Sequence, residues 1–118
     1  MKNKKNLVYA TFALQIIVGL LFLVAGAGKF LAAEFWIAKF SQWRYPNNFY
    51  LLIGIIEIIS AILLFIPRFS KYAAGILMIV MIGAAITHIL HQEVAALFRP
   101  GIFLILLSAL LFLKSRTQ

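Results

Sequence analysis

Cysteine is absent from the chain, and so is aspartate. Without a thiol there is no disulfide, thiolate metal site, iron–sulfur cluster or dithiol relay within these 118 residues. Electrons involved in any redox chemistry must therefore travel on a bound cofactor or through a partner. Acidic side chains number three against eleven lysines and arginines. No G-x-S-x-G stretch occurs, and only Ser60 with His88 offers a nucleophile and a base, which argues against a self-contained hydrolase. Charge of either sign is scarce at 12%, whereas 64% of the residues are hydrophobic, well above the share in soluble domains. Such a surplus of apolar surface needs lipid as its solvent, so residues 1–118 read as a single integral membrane domain. The net charge of +8 is dispersed at the ends of apolar runs and forms no stripe with interleaved aromatics. Membrane phosphates, not nucleic acid, are the partners it fits.

Four apolar segments run from about residue 7 to 28, 49 to 66, 72 to 90 and 97 to 113. The first three match the roughly 20 residues that a helix needs to cross a hydrocarbon core. In the fourth, Pro100 stands where a helix would start or kink, leaving "GIFLILLSALLFL" strictly apolar. Period-2 alternation is missing, which argues against a β-barrel. The expected fold is all-α, a four-transmembrane-helix bundle. The basic start "KNKK" and the Ala25–Ala27 pair resemble a signal peptide, but the apolar run is longer than a signal core, and no cleavage is expected.

With both termini on one side, that side carries Lys2, Lys4, Lys5, Arg68, Lys71, Lys114 and Arg116. The other side carries Lys29, Lys39, Arg44 and Arg99, with Glu34 and Glu93. The bias of basic residues places both termini in the cytoplasm. On the outer side, Phe30, Ala33, Ile37, Phe40 and Trp43 recur at helical spacing before a Tyr45–Pro46–Asn47–Asn48 turn. This predicts a short interfacial amphipathic helix between helices 1 and 2, either a surface anchor or a lid over a pocket.

One carboxylate, Glu57, lies about ten residues from either end of the second apolar segment. A charge at that depth costs roughly 2.5–3.5 kcal/mol on insertion scales, so an ionisable residue there is a functional-site candidate by default. Gly54, Ser60 and Ala61 share its helix face, a small and partly polar stripe that should turn into the bundle. The third segment offers Gly83, Thr87 and His88, and the first ends in "AGAGKF", where Lys29 can turn inward or reach the headgroups. The candidate ligand-binding set is Glu57, His88, Lys29, Thr87 and Gly54. Plainer readings stand beside it: an interfacial lysine, histidines at a helix edge, and a protonated Glu57 hydrogen-bonded to a neighbouring helix. No metal site is expected, because His88 and His91 lack convincing further ligands.

The stretches "GLLFLVAGAGKF", "FSQWRYPNNFYLLIGIIEIISAILLFIP" and "AAGILMIVMIGAAITH" resemble the DoxX-like family of small bacterial four-helix membrane proteins. The likeness lies in a G-x-x-K-F closing the first helix, a G-x-x-E in the second, a proline ending it and a late histidine in the third. It implies a multi-pass protein of the bacterial inner membrane, with Lys29, Glu57 and His88 as the polar residues. Some members are linked to quinone-reducing sulfur oxidation or to membrane oxidoreductase assemblies, and the cysteines of some redox-associated relatives are missing here. The leading expectation is a redox-associated subunit binding a quinone or another amphiphile between its helices. The alternatives are a non-catalytic assembly protein, as a homo-oligomer or beside an oxidoreductase partner, and a small-solute or proton transporter. The residues name no reaction and no catalytic group.

Overall fold

The structure is a computed structural model and describes residues 2–117. Five helices follow one another: α1 (Lys2–Leu31), α2 (Ala33–Gln42), α3 (Phe49–Leu64), α4 (Pro67–Leu90) and α5 (Phe98–Thr117), with a 3₁₀ turn at Val94–Leu97 ahead of α5. No strand occurs among the described residues. The four long helices form a ring in the order α1, α3, α4, α5, each packed on its two neighbours.

Local chemistry sets the breaks. Trp43 closes α2, and the chain then turns through left-handed residues at Arg44 (φ 64°) and Asn48 (φ 70°). Asparagine tolerates that conformation better than most residues. Ile66 is extended (φ −100°, ψ 110°), as the residue before a proline prefers. Pro67 then opens α4 at a position where its missing N–H leaves no unmade bond. Pro100 is likewise the third residue of α5, where the backbone N–H has no partner within the helix. It starts the helix without kinking it, and the fourth apolar segment becomes a 20-residue helix about 30 Å long.

Lys4–Leu31, Pro67–Leu90 and Val94–Thr117 are each long and apolar enough to cross a membrane. The short span is the second, in which α3 has 16 residues and is about 24 Å long. Its limits are the Asn48 turn and the approach to Pro67.

At the centre, Val18, Phe22, Ala61, Leu64, Leu77 and Leu107 are fully enclosed. Outside, Val24, Ile79, Leu90 and Ile105 are about 70% exposed, the apolar surface that a membrane-embedded bundle turns to acyl chains. α1 and α3 cross closely at glycines: a Cβ on Gly26 would lie 2.7 Å from Ile58 Cγ1 and 3.0 Å from the Gly54 carbonyl oxygen. The small-residue stripe of α3 turns inward as expected, with Gly54, Glu57, Ser60 and Ala61 all buried.

α2 forms, but its inward face differs from the spacing-based reading. Phe40 and Trp43 are buried and Trp36 packs beside them, whereas Ile37 is half exposed. An aromatic cluster with Tyr45, Phe49 and Tyr50 decides the facing, since ring packing against Phe40 outweighs the burial of Ile37. Phe30, assigned to the same stripe, belongs to α1 and is exposed.

Candidate functional site

Glu57 is 1% exposed and Lys29 6%. Their side chains meet with Lys29 Nζ 2.6 Å from Glu57 Oε1, tying α1 to α3. By distance this is a close ion pair, although the approach lies off the line of a well-directed hydrogen bond. The ammonium also sits 4.4 Å from the centre of the Trp36 ring, so α2 contributes a cation–π contact from above. Arg99, at the start of α5, brings a further positive charge within electrostatic reach of Glu57.

The pair opens onto a cavity of about 690 Å³. Trp36, Phe40 and Trp43 of α2 line one side, and Ile53, Met81 and Phe103 are among the apolar side chains on the others. Lys29, Glu57, Thr87, His88 and Arg99 also border it. Ligand sites are commonly of this kind, apolar concavities with a few convergent polar groups.

A second polar centre borders the same cavity around Glu93, in the link between α4 and α5. Glu93 Oε1 accepts from Trp43 Nε1 at 3.2 Å and lies 2.9 Å from His88 Nδ1. Its Oε2 accepts from Lys39 Nζ at 3.2 Å. The His88 hydrogen bond, with the Lys39 and Trp43 contacts adding to it, holds the Glu93 carboxyl below the usual carboxylate range. Lys39 lies on α2 and Trp43 caps its C-terminal end, so this carboxylate fastens that helix over the cavity. Tyr45 and Thr87 make a further tie. The Thr87 hydroxyl already donates to the Gly83 carbonyl at 2.9 Å, so Tyr45 is the donor between the two hydroxyls.

The structure thus sorts the candidate residues. It pairs Lys29 with Glu57 and brings Thr87 and His88 to the same cavity. His88 does not join Glu57; it bonds Glu93, because the chain reverses at Gln92 (φ 58°) and returns Glu93 to the end of α4. His91 turns away to the Thr87 carbonyl oxygen at 2.9 Å. Gly54 does not line the cavity. It is the contact with α1, where an added Cβ would stand 3.1 Å from Lys29 Cβ. In the sequence Lys39 and Arg99 stand out only as charges on one side of the membrane, and Glu93 further only as a weak completing ligand for His88 and His91. The four-residue spacing of Lys39 and Trp43 was the available signal that both could reach one acceptor.

The chain belongs to the DoxX-like family, whose profile matches residues 13–110. It is also similar to a protein of Bacillus subtilis (strain 168) named "Putative oxidoreductase CatD", with 30% identity over 83 residues, covering 70% of this chain and 62% of that protein. The chain therefore spans less than two thirds of that relative's length. No solved structure matches it.

Proposed function

We propose that the cavity beneath α2 binds a quinone or a similar amphiphile and that the protein serves a membrane oxidoreductase as its ligand-holding subunit. The observation that carries this reading is the buried Lys29–Glu57 pair opening onto an apolar and aromatic cavity of about 690 Å³. That volume lies within the range of small-molecule sites. Family membership and the name of the Bacillus subtilis relative agree with a redox setting. A quinone would supply a carrier for electrons and protons that the cysteine-free chain lacks. The chain's own part is to bind and orient: Lys29 and Arg99 offer donors to a ring oxygen, Trp36 and Trp43 offer faces to a flat ring, and the buried Glu57 can accept a proton.

The end of the bundle bearing the start of α1 and the end of α5 carries Lys4, Lys5, Arg68, Lys71, Lys114 and Arg116. By the bias of basic residues it faces the cytoplasm of a bacterial inner membrane, and the cavity opens in the outer half.

Both tryptophans border the cavity, so their emission reports occupancy directly. Ubiquinone-1 or menadione titrated into protein in lipid nanodiscs should quench wild type saturably. Glu57→Gln, which keeps the side chain's shape, should bind about tenfold or more weakly for the loss of one charged partner. Equal and negligible quenching of both would overturn the proposal.

A second reading, an assembly protein, is favoured by the Lys29–Glu57 clamp lying beside the Gly26–Gly54 crossing. It expects Glu57→Ala to lose stability with no ligand effect in wild type.

A further inference from the structure

The other end of the bundle holds a polar site that the cavity does not use. Lys114, near the end of α5, is only 4% exposed, and Gln15 of α1 is 3% exposed. Lys114 Nζ lies 3.5 Å from Gln15 Oε1, the one hydrogen-bond partner given to that ammonium among the described residues. Gln15 Nε2 is buried with no acceptor among the described residues. Thr11, one turn before Gln15 on α1, directs its hydroxyl hydrogen to the Leu7 carbonyl at 2.6 Å. Lys71 of α4 stands close enough for its positive charge to act on Lys114.

Two buried donor groups thus meet with one neutral acceptor between them, the Gln15 amide oxygen, and no anion among the described residues. A buried cation without a counter-charge is among the costliest arrangements a fold can contain. Among the described residues, none of the three glutamates answers this charge. Glu57 and Glu93 are engaged at the cavity and Glu34 lies on α2. From Gln15 to Lys29, where the cavity begins, α1 rises about 21 Å. Lys114 directly follows the last apolar residue of α5, Leu113, at the depth where lipid phosphates lie.

We infer that Gln15 and Lys114 form a binding site for a phosphate oxyanion, supplied by the head group of an acidic phospholipid or by free phosphate. One anionic oxygen accepts from the Gln15 amide and the Lys114 ammonium together, which satisfies both at once. The exposed Lys4, Lys5, Arg68 and Arg116 form an outer basic rim that draws anions to this end of the bundle. The site does not rest on any ligand of the cavity.

The test places purified protein in phosphatidylcholine nanodiscs and adds either phosphatidylglycerol or inorganic phosphate at fixed ionic strength. Thermal unfolding and lipid retention in native mass spectrometry are read in parallel. Wild type should gain thermal stability with the anion. Lys114→Met should lose that gain, and Arg116→Gln, on the exposed rim, should keep it. Gln15→Leu keeps the cation and removes one donor, so it should hold the anion about 10- to 100-fold more weakly. It carries the test if Lys114→Met does not fold. A gain with phosphatidylglycerol alone identifies a lipid head group, and an equal gain with phosphate identifies a free anion. No gain in wild type with either, or Gln15→Leu holding the anion as tightly as wild type, would overturn the inference.

Discussion

Lys29→Met is the perturbation that bears hardest on the buried pair. At 2.6 Å the two charges attract by roughly 6 kcal/mol at an effective dielectric of about 20, before the cost of stripping water from each. Desolvation takes back several kcal/mol per ion, so the pair's net worth is small while the cost of breaking it is large. Lys29→Met leaves Glu57 enclosed without a partner and should cost about 3–5 kcal/mol. Glu57→Met leaves Lys29 with the Trp36 ring, a contact worth about 0.5–2 kcal/mol, and should cost correspondingly less. The double variant, an apolar pair of similar volume, should return to within about 2 kcal/mol of wild type or exceed it. Reversible unfolding in mixed micelles, read as a double-mutant cycle, measures all three. Single variants that each cost under about 1 kcal/mol, or a double variant as unstable as the two costs added, would refute the argument that these groups meet away from water.

The α1–α3 crossing gives a paired prediction: Gly26→Ala meets Ile58 and backbone at once and should cost about 1–3 kcal/mol, whereas Gly28→Ala enters open space and should gain about 0.5–1 kcal/mol; thermal unfolding of both checks it. Glu93 supplies a pH dependence. Its carboxyl is lowered in the folded protein, so its contribution is complete above the ordinary value of 4.5 and is lost as pH falls through the lower folded value. Proteolytic nicking of α2 should therefore rise only at pH below about 4.5, and Glu93→Gln should show the raised rate at neutral pH. Trp43→Phe keeps the aromatic packing and removes the Nε1 donor, so nicking should rise less than in Glu93→Gln, which weakens all three ties.

Much of the fold could be read from particular residues. Apolar run length marked four helices, Pro67 marked the break between α3 and α4, and the Gly54–Glu57–Ser60–Ala61 stripe marked the inward face of α3. The cost of an isolated carboxylate at membrane depth called for a partner to Glu57, but left Lys29, His88 and a protonated side chain all open. Other features depended on geometry that spacing does not carry. The left-handed turn at Gln92 brings Glu93 back to His88, and nothing in a five-residue separation distinguishes that from a loop leading away. The facing of α2 depended on which rings meet Phe40, a tertiary choice that favours Trp36 over Ile37. Pro100 is compatible with a start or a kink by sequence, and its place in the first turn of α5 makes it a start. Gly54 was grouped with the binding residues because it shares a face with Glu57, yet that face is split between the cavity and the contact with α1.

The central claim is that the Lys29–Glu57 cavity holds an amphiphile. Its most direct measurement is native mass spectrometry of the protein extracted gently from its own membrane, wild type beside Glu57→Gln. A discrete quinone-like mass should be bound once per wild-type chain and be strongly reduced in the variant. Wild-type spectra carrying no bound species except phospholipid, identical to those of a folded Glu57→Gln, would contradict it.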